Sequence, residues 1–147
     1  VLGTLPVTVI MVMRIDTWVS GRVFGSSDSL ASTLGLIQAV ASPGFRQINT
    51  SSVNLNNGLT VAAWGRIQAA FTGSVADYVK AIAAVTTGAS AGAGVGSGYR
   101  IARQGGAATA FGAISVAECV LLNSVPSAGQ DTAMDAYITS LYGSGLV

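Results

Sequence analysis

Val7–Arg14 reads VTVIMVMR, and it is apolar at odd and even positions alike through Ile10, Met11, Val12 and Met13. Successive side chains of a strand point to opposite faces, so such a run needs cover on both. It predicts a central strand with a layer of the fold on each side.

The rest of the chain offers many short candidates for neighbours. Asp16–Gly21 reads as a loop, and Arg22–Phe24 as a short strand ending in the turn cluster Gly25-Ser26-Ser27-Asp28. Leu34–Val40 and Phe45–Thr50 read as strands on either side of Ser42-Pro43-Gly44. Ser52–Leu55 continues the second or starts another. Asn56-Asn57-Gly58 is a turn signal, because Asn and Gly tolerate positive φ. Leu59–Phe71 is a long period-two strand. Val61, Ala63, Ile67, Ala69 and Phe71 share one face, and Trp64, Arg66 and Gln68 share the other, more polar one. Asp77–Val85 reads as a strand, with helix as the competing reading because alanine favours it. Thr86–Gly98 is a Gly/Ala/Ser loop. Tyr99–Arg103 is a short strand, and Phe111–Leu122 is a nearly uncharged one that reads as buried on both faces.

The period changes after Ser127. Ser127 and Gln130 form a capping-box pattern, and Asp131 falls in the first turn, where the helix dipole favours negative charge. Met134, Tyr137, Ile138, Leu141 and Tyr142 then recur at helical spacing as one apolar stripe, and Gly143 ends it. Many strands at short spacing followed by one helix predict a mainly β fold. The expectation is an antiparallel β-sandwich, a jelly roll, with one C-terminal amphipathic helix from Ser127 to Tyr142. The whole of 1–147 reads as one domain.

Composition narrows the chemistry. There is no histidine, which removes the commonest general base and metal ligand. There is one cysteine, so no intrachain disulfide can form, and its mid-strand place between apolar residues predicts an inert thiol. Charged residues are 9% of the chain, against roughly 25% in a typical soluble domain. The net charge of +1 gives no electrostatic reason to bind nucleic acid or an anionic membrane. Val1–Met13 is too short to span a bilayer and is interrupted by Pro6. Hydrophobic residues make up 50% of the chain and there are 19 glycines, leaving few charges to decorate a surface. That balance fits partial cover by other subunits, and equally fits a small-residue β domain with a Ser/Thr/Asn surface.

Four segments, in order along the chain, carry a resemblance. They are PVTVIMVMRID at Pro6–Asp16, GRVFGSSD at Gly21–Asp28, WGRIQAAFTG at Trp64–Gly73, and the closing series from Gly112 to Gly143 with AECVLLN, a Val-Pro-Ser turn and AYITSLYG. This set resembles the laminin-G-like, concanavalin A-like jelly rolls of bacteriophage and bacterial surface proteins. Family members carry a strand before the segment matching Pro6, whereas five residues precede it here. The chain therefore reads as lacking its N-terminal edge strand, to be completed by further sequence or by a neighbour. The acidic rim that holds calcium in many relatives has no counterpart here, so no metal site and no cofactor are expected.

The carboxylates Asp16, Asp28, Asp77, Glu118, Asp131 and Asp135 never stand at alternate positions of one strand, as sandwich glycosidases require. Glu118 shares a strand with Ile114, Val116, Val120 and Leu122, and a charge in such a row needs a partner. It reads as a structural buried charge, with Arg14 as the expected partner. GAGVGSG at Gly92–Gly98 superficially resembles a phosphate loop but lacks the following Lys and helix. Candidate ligand-binding residues are Trp18, in a loop, and Asn54, Asn56 and Asn57, near a turn. The structural reading of Trp18 is that it covers an end of the sandwich. The expected function is a non-catalytic structural or adhesion domain of a bacteriophage virion protein, in a tail fibre, tail tip or capsid decoration. It would be located in the virion or outside cells. The expected partners are other virion subunits, a homo-oligomer or a larger assembly, and a cell-surface glycan, with no nucleic acid and no membrane. The alternative is a carbohydrate-binding module of a secreted bacterial protein.

Overall fold

A computed structural model of the chain describes residues 5–19, 23–27, 35–38, 45–49, 51–55, 59–72, 77–81, 84–88, 98–102 and 112–146. The order is β1 (Val7–Thr17), β2 (Val23–Ser27), β3 (Gly35–Gln38), β4 (Phe45–Asn49), β5 (Ser51–Leu55), β6 (Trp64–Phe71), β7 (Asp77–Ala81), β8 (Ala84–Gly88), β9 (Tyr99–Ile101), β10 (Ala113–Leu122) and the helix α1 (Ala128–Tyr142). The fold is mainly strands with one helix. One sheet runs β10-β1-β6-β7-β8 and the other β5-β4-β3-β2-β9. All the described pairings are antiparallel.

β1 is central, as its two-faced apolarity predicts, and lies between β10 and β6. Val7, Val9, Met11, Met13 and Ile15 point to one side and pack with Leu59, Ile67, Ala69 and Phe71 in a fully buried cluster. Ile10 and Val12 point to the other side and meet Ile138 of α1. Each such aliphatic side chain contributes about 1.5–3 kcal/mol on burial. Ile67, Ala69 and Phe71 face the core, and Arg66 and Gln68 lie on the opposite side of β6, following the period-two reading.

The helix begins as its sequence predicts. Ser127 is the N-cap and forms a capping box with Gln130, its backbone N–H donating to Gln130 Oε1 at 2.9 Å. Gly143 ends it at φ 77°, its N–H donating to Thr139 O at 2.8 Å.

Several boundaries differ from the sequence reading. β1 continues through Asp16 and Thr17, which were expected in a loop, because β10 pairs with it up to Thr17. Gly25-Ser26-Ser27 belongs to β2 rather than to a turn, with a register shift at Gly25. Leu59–Ala63 is not strand: Ala62 takes φ 67°, and its N–H bonds Ile15 O at 2.8 Å, folding this piece across the end of β1. Asp77–Val85 is neither one strand nor a helix. It contains β7 and enters β8, which takes Thr86–Gly88 from the expected loop. β10 is outermost in its sheet and half-exposed along its length, not buried on both faces. The Asn56-Asn57-Gly58 turn and the GAGVGS run lie outside the described residues.

Tyr99 of β9 packs against the first cluster, and Gly25 of β2 lies under the Tyr99 ring. A Cβ at Gly25 would stand 2.6 Å from Tyr99 Cε1 and 2.7 Å from its hydroxyl oxygen. That hydroxyl is buried with no hydrogen-bond partner among the described residues. Burial, and the nearby Cys119, push its pKa up. A buried unpaired hydroxyl costs about 1–3 kcal/mol. Tyr99→Phe is therefore expected to leave stability unchanged or raise it by about 1 kcal/mol, whereas Gly25→Ala should lower it by about 1–3 kcal/mol through overpacking. Urea denaturation of the two variants measures both.

Candidate functional site

The face of the first sheet that carries α1 is built in rows across β10, β1 and β6. Leu122, Thr8 and Ala70 form one row, and Val120, Ile10 and Gln68 the next. Glu118, Val12 and Arg66 follow, then Ser115, Arg14 and Trp64. A β-bulge decides what β10 contributes. Val12 pairs with Glu118 but Met13 pairs with Val116, so Ala117 is the extra residue. An inserted residue shifts the alternation of one strand against its neighbour. Ile114, Val116 and Cys119 therefore pack on the first cluster, while Val120 and Leu122 join the helix side. Glu118 does not share a face with Ile114 and Val116, contrary to the simple alternation.

Arg66 is the buried charge of this face, 5% exposed. Its guanidinium donates to Gln68 Oε1 and to Asp131 Oδ1 at 3.1 Å, and it pairs with Asp135. Asp131 and Asp135 stand one helical turn apart, so one cation holds two successive turns of α1 to the sheet. Nε of Arg66 is buried with no hydrogen-bond partner among the described residues. Asp131, Met134, Asp135 and Ile138 thus form the sheet-facing side of α1. The expected stripe splits: Ile138 is buried and Met134 half-buried, but Tyr137, Leu141 and Tyr142 are exposed.

Glu118 is half-exposed, and its partners are not those the sequence reading named. Tyr137 donates its hydroxyl to Glu118 Oε1 and Tyr142 to Oε2, each at 3.2 Å. The carboxylate holds both phenol pKa values up; for Tyr142 burial is the larger cause. Arg14, also expected as a buried charge, is 39% exposed in its side chain and pairs with Asp16 through Nε at 2.7 Å. β1 continues to Asp16, which puts that carboxylate nearer to Arg14 than Glu118 is. Ser115 donates to the other Asp16 oxygen at 2.8 Å. The Ser115 hydroxyl first, and Arg14 second, hold the Asp16 carboxyl below its usual range. The Arg14 guanidinium also lies over the Trp64 ring, 5.6 Å from its centroid.

Of the sequence-derived ligand candidates, Trp18 is half-buried and packs against the first cluster. Asn54 lies in β5 opposite Arg46, and Asn56 and Asn57 lie outside the described residues. Cys119 is half-buried, and burial raises its pKa, which disfavours the reactive thiolate. Among the described residues no three His, Cys, Asp or Glu side chains are placed to share a metal ion. Several concavities flank the helix instead. One, of about 490 Å³, lies between α1 and β10 and is lined by Ile10, Leu122, Pro126, Ala133, Met134 and Tyr137, among others. Another, of about 290 Å³, lies at the end of α1 and is lined by Val12, Trp64, Ala117, Tyr142, Gly145 and Leu146. Sequence alone placed Arg66 and Trp64 on the correct side of β6. It did not reveal the burial of Arg66, nor the turning of Tyr137 and Tyr142 toward Glu118.

Removing one partner of a buried ion pair costs about 3–5 kcal/mol, less where the other partner reaches water. Asp131 and Asp135 keep 23% and 46% side-chain exposure. Arg66→Ala is therefore expected to destabilise by about 3 kcal/mol. Arg66→Met combined with Asp131→Asn and Asp135→Asn should recover part of that loss, as read by urea denaturation.

Asp16 gives a pH signature. Its folded pKa lies below the ordinary 3.8, so its stabilising contribution is complete above that value and disappears as pH falls through the depressed one. Ser115→Ala should move the Asp16 midpoint upward in a carboxyl NMR titration.

Comparison of the chain with protein-family models, curated proteins and solved structures found no match.

Proposed function

We propose that this chain is a non-catalytic structural and adhesion domain of a bacteriophage virion protein, built as a laminin-G-like jelly-roll sandwich. The contact of Tyr99 with the first cluster, and the approach of β5 to β7 and β8, support two stacked sheets. The tail fibre, the tail tip and a capsid decoration protein are the settings in which the resemblance of its four segments places it.

One observation carries the assembly reading. Val125, Tyr137, Leu141 and Tyr142 are 38–55% exposed on α1 and the segment leading into it. Tyr137 also lines the 490 Å³ groove. Large exposed apolar residues gathered on one side of a domain mark an interaction surface. The chain's 9% charge gives this surface little to keep it solvated alone. Partner subunits of the same particle would cover it, through apolar contact rather than charge pairing. The alternative, a secreted carbohydrate-binding module, draws on Trp18, which packs against the first cluster, and on Asn54, Asn56 and Asn57.

The test is association. Sedimentation velocity over a wide concentration range should show reversible self-association, or cross-linking within the intact particle should place α1 against a neighbour. Leu141→Glu and Val125→Glu, both at exposed positions, should weaken the contact about tenfold or more while leaving the fold intact. A monodisperse monomer with no neighbour at α1 in the particle would sink the reading.

A further inference from the structure

Glu118 stands apart in the charge pairing of this face. Asp16 is matched to Arg14, and Asp131 and Asp135 to Arg66. The hydrogen-bond partners of Glu118 are the neutral hydroxyls of Tyr137 and Tyr142. Those bonds fix the carboxylate and leave its charge uncompensated.

The concavity beside it has walls suited to a cation. Trp64 of β6 and Tyr142 at the end of α1 both line the 290 Å³ cleft, together with Val12, Ala117, Gly145 and Leu146. Glu118 sits next to Ala117 in β10, across from Val12 in register, and the Tyr142 hydroxyl reaches it. An aromatic face attracts cations through its quadrupole, and Trp64 already receives Arg14 in this way. Arg14 is paired with Asp16, and Arg66 with Asp131 and Asp135, which leaves Glu118 as the carboxylate beside the cleft whose bonded partners are neutral. The floor decides between kinds of cation. Val12 and Leu146 offer methyl groups rather than oxygen ligands, which suits an alkylated ammonium and not a hydrated metal ion.

We propose that the cleft between Trp64 and Tyr142, with Glu118 at its lip, binds an organic quaternary ammonium group. The trimethylammonium packs on the two rings and the apolar floor, and its charge faces the Glu118 carboxylate. The group could be supplied as a free small cation or as phosphocholine displayed on a surface. This assignment rests on the cleft and not on the assembly reading, and Tyr142 belongs to both surfaces, so the titration uses the isolated chain.

The experiment titrates the full chain with choline chloride, phosphocholine and 3,3-dimethyl-1-butanol, the uncharged isostere of choline, and follows two-dimensional amide and indole NMR signals. Saturable shifts of the Trp64 indole and Gly145 amide with choline, and much weaker ones with the isostere, are expected. Glu118→Gln and Trp64→Leu should each weaken choline binding about tenfold. Their spectra report whether each stays folded, and raised salt on the unaltered chain gives the same charge test without a substitution. Phosphocholine binding as well as choline would point to a displayed headgroup, and its exclusion to the free cation. The proposal fails if the isostere shifts the same signals as strongly as choline, if choline moves neither of them, or if folded Glu118→Gln binds unchanged.

Discussion

A guanidinium under a helix sets the geometry of everything on this side of the molecule. Arg66 is almost wholly out of water, and its desolvation cost is offset by two carboxylates of α1 and the Gln68 amide. Because Asp131 and Asp135 must face it, the helix turns that side to the sheet. Tyr137, Leu141 and Tyr142 are then rotated outward, although their spacing alone would bury them. The apolar surface, the groove under α1 and the position of Tyr142 over Glu118 all follow from that one orientation. A purely hydrophobic docking would have chosen the stripe with the most apolar area.

The second determinant is the extra residue in β10. Without the bulge at Ala117, strict alternation would put Glu118 on the same face as Ile114 and Val116, facing the first cluster. An unpaired carboxylate there would carry a large desolvation penalty. The bulge lets β10 serve two faces in turn: Ile114 and Val116 enter the cluster, then Glu118 and Val120 face the helix side. It also places Ala117 in the wall of the smaller cleft.

Much of this was legible in the residues. The two-faced apolarity of Val7–Met13 identified the central strand, and the Ser127–Gln130 box identified the helix start, because both signals are local. The alternation of β6 separated Ile67, Ala69 and Phe71 from Arg66 and Gln68 for the same reason. What failed was whatever depended on long-range pairing. Asp16 read as a loop residue because nothing nearby shows that β10 pairs beside it and Ser115 binds it. Leu59–Ala63 read as strand because a positive φ at an alanine leaves no sequence mark. Glu118 read as a buried charge paired with Arg14, whereas it is half-exposed and its partners lie 19 and 24 residues along the chain, on a helix whose rotation is set by Arg66. Trp18 and Trp64 were distinguished only by environment: one caps the cluster and the other stands at a cleft.

Sparse charge gives each remaining charge unusual weight. With seven basic and six acidic residues in 147, few mobile side chains surround any one group to dilute its field. Salt still screens beyond about 8–10 Å, so what counts is the nearest shell. Around Arg66 that shell contains two opposing charges, and the result is structural: a cation fixed between layers. Around Asp16 it contains one cation and a hydroxyl, and the result is a satisfied surface cluster beside Trp64. Around Glu118 the bonded shell is two phenol hydroxyls, which orient a carboxylate without neutralising it. The same three kinds of group therefore do different work according to what the fold brings within a few ångströms. The third arrangement leaves a carboxylate whose bonded partners, among the described residues, are neutral.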